Sequence, residues 1–164
     1  MQPRADCPAR CCARCLPVSY NARKRNRRDP AVKDRMVTIT ALLLGFVMLV
    51  NGVWQLAAPE GWYWAIPGVP DRGPFNQHFV RDLGIIYAMT GIGLILGALR
   101  PRQRFGYWWA PCFWLVGHAL FHVWEVLVGI CGPASLLEDF AGVTLPAIIT
   151  IVLLLHARRE QRAD

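Results

Sequence analysis

Four stretches of the chain lack every charged side chain: Met36–Pro59, Leu83–Leu99, Phe105–Trp124 and Phe140–Ala157. A helix needs about 20 apolar residues, with a range of roughly 17–25, to cross a bilayer. All four runs reach that range. A water-soluble domain of 164 residues would have little use for four of them. Reactive motifs are also missing. There is no G-x-S-x-G nucleophile turn, no P-loop and no C-x-x-C-H haem attachment, so the familiar hydrolase, nucleotide-hydrolase and c-type cytochrome chemistries find no support. Two loops lack basic clusters. The segment after the first run holds Glu60, Asp71 and Arg72, and the segment before the fourth holds Glu138 and Asp139.

What is present fits a polytopic all-α membrane protein with a four-transmembrane-helix bundle spanning residues 36–164. Hydrophobic residues make up 54% of the chain, and mean hydropathy is positive despite a very polar start. Ten of the 18 basic residues lie before Met36. Beside a membrane span such a run marks the cytoplasmic side and attracts anionic lipid, and we expect no nucleic-acid partner. Arg100, Arg102 and Arg104 crowd the link between the second and third runs, and Arg158, Arg159 and Arg162 follow the fourth. Every basic cluster falls on one side. The expected topology is therefore four spans with both termini cytoplasmic, in a bacterial inner membrane.

Residues 1–35 read as a separate basic, disordered tail or as an over-called start, since Met36 opens the first apolar run directly. Cys7, Cys11, Cys12 and Cys15 lie close together there, but no second Cys/His pair at finger spacing accompanies them. A transit peptide is opposed by Asp6, Asp29 and Asp34. A cleaved signal peptide centred on Leu42–Val50 is opposed by the length of the run, so the first helix is expected to be retained.

The expected helices cover about residues 37–57, 79–99, 107–130 and 140–156. Pro111 suits the first turn of the third, and Pro146 should kink the fourth. Gly45 and Gly52 share a face of the first helix, and Gly93 and Gly97 have the close-packing spacing of membrane helices. Trp62, Tyr63 and Trp64 suggest an interfacial aromatic belt. Cys112 and Cys131 are too far apart along one helix to pair and read as packing residues.

Chemistry concentrates on the third helix. His118, His122 and Glu125 are spaced i, i+4, i+7 and so share one face. Ionisable groups at bilayer depth usually face a protein interior, a cavity or an ion. Counting rise per residue puts Asn51 and Gln55 of the first helix at a similar depth, while His78, Arg81 and Asp82 enter at the head of the second. These eight residues form the candidate polar pocket in the outer half of the bundle. Four uses suit it. His118, His122 and Glu125 could ligate a metal. A quinone or another small hydrophobic ligand could bind among Trp54, Phe121 and Trp124. The set could serve as a proton or solute relay. An Arg81–Asp82–Glu125 network could instead simply hold the helices together. The leading expectation is a ligand-binding or accessory membrane protein, a homo-oligomer being open; the alternative is a quinone- or metal-linked membrane redox enzyme. Which cofactor, if any, the sequence leaves unknown.

The stretch Phe75-Asn76-Gln77-His78-Phe79-Val80-Arg81-Asp82-Leu83-Gly84, followed by Tyr87, Gly91 and Gly97, resembles small uncharacterised four-helix membrane proteins of bacteria and, more distantly, the DoxX-like group. The resemblance covers about residues 37–156. It implies the four-helix fold and, for some DoxX-like proteins, quinone-linked redox or sulfur chemistry, but no motif carries that activity onto named residues here.

Overall fold

The computed structural model describes residues 30–162, and the expectations for the cysteine-bearing tail lie outside the described residues but for its last six. Six α-helices follow in order: α1 (Pro30–Ala57), α2 (Pro59–Ala65), α3 (Gln77–Leu99), α4 (Arg104–Leu127), α5 (Ser135–Glu138) and α6 (Leu145–Gln161). Among the described residues there is no strand. Four helical segments, Val32–Ala57, Gln77–Leu99, Pro101–Leu127 and Phe140–Gln161, are long and apolar enough to cross a membrane. The protein is an all-α four-helix bundle, and these helices give it the outer surface a bilayer requires. Leu43, Phe46, Met89 and Phe113 are exposed on that surface. In water they would be a liability; in lipid they are the solvent-facing side.

The long helices pack in series, antiparallel: α1 on α3, α3 on α4, α4 on α6, with only a slight contact between α1 and α6. The α1–α3 seam is made by glycines. Gly45 lies against Gly91, and Gly52 against Gly84. Gly93 and Gly97 face the other way, onto α4. Gly93 meets the Pro111 ring and the Tyr107 carbonyl, and Gly97 leaves room for the Trp108 indole. That indole is fully buried and donates to the Leu94 carbonyl at 3.0 Å. The core runs through Ala41, Leu44, Met48, Leu94, Trp108, Leu115 and Leu153.

Several boundaries differ from the sequence reading, each for a physical reason. Residues 30–35 of the expected tail belong to α1, where Asp34 reaches the Arg104 guanidinium and so takes part in the bundle. α4 begins at Arg104, which puts Pro111 inside the helix rather than in its first turn. The carbonyl freed by the missing Pro111 N–H is that of Tyr107, and α3 approaches it closely because position 93 is glycine. α3 starts at Gln77 because the Asn76 side chain accepts from the Phe79 N–H at 3.1 Å. Before Pro146 the chain makes a wide π-helical turn, Phe140–Thr144, which relieves the clash a proline causes in an α-helix.

The long α1–α3 connection is ordered. Trp62 and Tyr63 of α2 turn inward with Val80, and only Trp64 of the expected belt is exposed. The Tyr63 hydroxyl donates to the Gly73 carbonyl at 2.6 Å, which fixes the 3₁₀ turn Pro70–Arg72 next to it.

Candidate functional site

The end of the bundle bearing the α1–α3 and α4–α6 connections, the loop end, carries a charged cluster. Helix α4 supplies its floor. Arg104, Trp108, Pro111 and Leu115 form the buried face of α4, and His118, His122 and Glu125 continue that face in helical register. The His/Glu stripe therefore faces the bundle and not the lipid.

The partners come from loops. Asp139, just before the π-helical turn, places Oδ2 2.8 Å from His122 Nδ1. Arg72, at the end of the 3₁₀ turn, donates through Nη2 to the same oxygen at 2.9 Å, and its Nη1 donates to Cys131 Sγ. His122 Nδ1 also lies 4.0 Å from Glu125. One carboxylate oxygen thus holds an imidazole from a membrane helix and a guanidinium from a loop. A carboxylate can only accept, so the imidazole donates from Nδ1, which leaves Nε2 as the free ring nitrogen. Burial works against the Arg72 charge, but Asp139, Cys131 and Glu125 outweigh it and hold its pKa above the usual arginine value.

Aromatic rings extend the cluster along α4. His118 meets His122 edge to face with centroids 4.7 Å apart, and Trp114 stacks on the other side of His118 at 5.5 Å. The Trp114 indole N–H is buried and has no hydrogen-bond partner among the described residues. Phe121 stacks on Trp124 at 5.6 Å and touches the edge of His122, and both Phe121 and Trp124 are exposed.

The expected pocket residues fall into two groups. His118, His122 and Glu125 come together. Asn51 instead accepts from the Trp62 indole at 2.8 Å. Gln55 is fully buried, and among the described residues neither amide atom has a hydrogen-bond partner. Arg81 is exposed and donates to the Leu56 carbonyl at 3.3 Å. His78 and Asp82 pair with each other at 3.2 Å in the open. Among the described residues no hydrogen bond or ion pair joins these to the α4 group. The arginine that joins this cluster is Arg72, through Asp139, and not Arg81. Cys112 is a buried packing residue, whereas Cys131 is the acceptor of an arginine.

The opposite end, where Arg100, Arg102 and Arg104 gather with the end of α6, holds a second polar cluster. Arg104 is 2% exposed. Its guanidinium pairs with Asp34 of α1, donates to Thr38 of α1 at 2.7 Å, and meets Glu160 of α6 at 3.2 Å. His156 Nε2 lies 3.0 Å from Glu160 Oε1. Asp34, His156 and Glu160 have ligand atoms close enough to share a cation, but Arg104 already occupies the two carboxylates. This cluster is a clamp on three helices.

Comparison of the chain with protein-family models, with curated proteins and with solved structures finds no match.

Proposed function

We propose that the protein is a multi-pass protein of a bacterial cytoplasmic membrane, with both termini inside, that binds a small lipid-soluble ring ligand of the quinone/quinol type at the loop end of α4. The observation that carries this is the sharing of Asp139 Oδ2 between Arg72 and His122. It locks the imidazole with Nε2 free, and a ring hydroxyl can donate to that nitrogen. The buried, unpartnered Trp114 N–H beside His118 offers a donor for a ring oxygen. Phe121 and Trp124 give an aromatic flank on the lipid side by which such a molecule would enter. The gathering of the basic residues at one end supports this sidedness.

Titrating a short-chain quinol into the detergent-purified chain should give saturable quenching of tryptophan fluorescence. His122→Ala should weaken it about tenfold or more, the loss expected for one buried hydrogen bond to a charged or strongly polar partner. A wild-type protein with no saturable response, or a variant that binds as well, would rule the reading out. Metal analysis and an optical spectrum of the same sample separate it from a metal-dependent redox enzyme, which would carry a stoichiometric chromophore or ion.

Sidedness has its own test. A reporter fused after Asp164 should report the cytoplasm, and one inserted near Gly68 the periplasm. Reversed labels would overturn the orientation while leaving the ligand site untouched.

A further inference from the structure

We infer that the basic end of the bundle carries a binding site for the phosphate headgroup of an anionic phospholipid, formed by Arg100 and Arg102 over a cleft between the first turn of α4 and the last turn of α6. The cleft has a volume of about 480 Å³, within the range of roughly 300–1,000 Å³ typical of small-molecule sites. Pro101, Phe105 and Ala157 give it apolar walls, and Arg102 and Tyr107 its polar rim. A second hollow shares Pro101, Arg102, Gln103 and Tyr107 with it and adds Arg100.

The two arginines are available. Neither forms an ion pair with any described residue, whereas Arg104 of the same cluster is consumed by Asp34 and Glu160. Arg100 is held in place over the Tyr107 ring, 5.5 Å from its centroid, and donates to the Tyr107 hydroxyl. Its guanidinium is thus positioned rather than trailing in solvent, which lowers the entropy lost on binding. Glu160 lines the cleft, but Arg104 and His156 both contact its carboxylate, so it does not set a bare negative charge against the ligand. The cleft opens at the end of four membrane-length helices. The phosphate within reach there is a bilayer headgroup, and basic pockets between spanning helices bind such headgroups.

The test uses the whole chain in detergent with phosphatidylglycerol and phosphatidylcholine added at equal concentration, and native mass spectrometry to count retained lipid. The wild type should retain phosphatidylglycerol preferentially. The Arg100→Gln/Arg102→Gln double variant should lose that preference by about tenfold or more, since each juxtamembrane arginine contributes measurably to anionic-lipid attraction. Arg158→Gln/Arg159→Gln removes the same charge from exposed positions that do not line the cleft, and should keep the preference. The inference is overturned if the first double variant binds as the wild type does. It is equally overturned if both doubles lose the preference alike, which would mean diffuse attraction, or if inorganic phosphate at matching concentration displaces the lipid, which would mean a free-phosphate site.

Discussion

Arg104→Ala should lower stability by about 2–4 kcal/mol, the range set by breaking a buried ion pair at one limit and losing three interhelical hydrogen bonds in a membrane protein at the other. The guanidinium is 2% exposed and reaches two partners on α1 and one on α6. Those helices otherwise touch only slightly, so little else replaces the link. Removing it also leaves Asp34 and Glu160 as neighbouring like charges. Both carboxylates are partly open, at 47% and 38% exposure, and water regained by them keeps the loss below the upper limit for buried pairs. Arg104→Lys keeps the charge but not the fork, and should fall between Ala and the wild type. A chain started at Met36 loses Asp34 but keeps Thr38 and Glu160. It should insert normally and unfold earlier, by about half the Arg104→Ala effect. Unfolding in mixed micelles with increasing dodecyl sulfate measures all three. A change under about 0.5 kcal/mol for Arg104→Ala would mean that the clamp bears no load.

The sequence made the spans legible because lipid imposes one demand on every exposed position, and four charge-free runs express it directly. It also placed His118, His122 and Glu125 together, since helical period alone puts them on one face. Their partners were not legible. Arg72 and Asp139 lie in loops, 67 residues apart, and no local period links such positions. The available signal was slight: a single arginine in an otherwise acidic loop, and an aspartate at the head of the fourth run. Matched depth suggested Asn51, Gln55 and Arg81 as companions, but depth fixes one coordinate only. Which helices adjoin at that depth is a packing question, and Asn51 was claimed by Trp62 from a short helix that folds back on α1. Arg104 was hidden among the arginines clustered between the second and third runs. Its register with Trp108, Pro111 and Leu115, all on the buried face of α4, was the signal that could have set it apart from Arg100 and Arg102.

The glycine seam predicts opposite signs for one kind of substitution. A Cβ on Gly52 would stand 2.5 Å from the Ala88 nitrogen and 2.6 Å from the Gly84 oxygen. On Gly91 it would stand 2.6 Å from both the Gly45 oxygen and the Leu49 nitrogen. These are backbone atoms, which cannot rotate away as a side chain would. α1 and α3 must therefore separate along their length, and overpacking of this kind costs about 1–3 kcal/mol for Ala and more for Val. One separation of α1 from α3 relieves both clashes, so Gly52→Ala and Gly91→Ala combined should cost less than the sum of the two single changes, by about 0.5 kcal/mol or more. Gly117 is the contrast. It lies mid-helix in α4, exposed, with nothing within 4 Å of a new Cβ. Gly117→Ala should be neutral or stabilising by up to about 1 kcal/mol, because alanine loses less backbone freedom in a helix. The same unfolding titration reads all the variants. If Gly52→Ala and Gly117→Ala shifted stability equally, helix propensity alone would be acting at both positions and the close α1–α3 approach would be wrong.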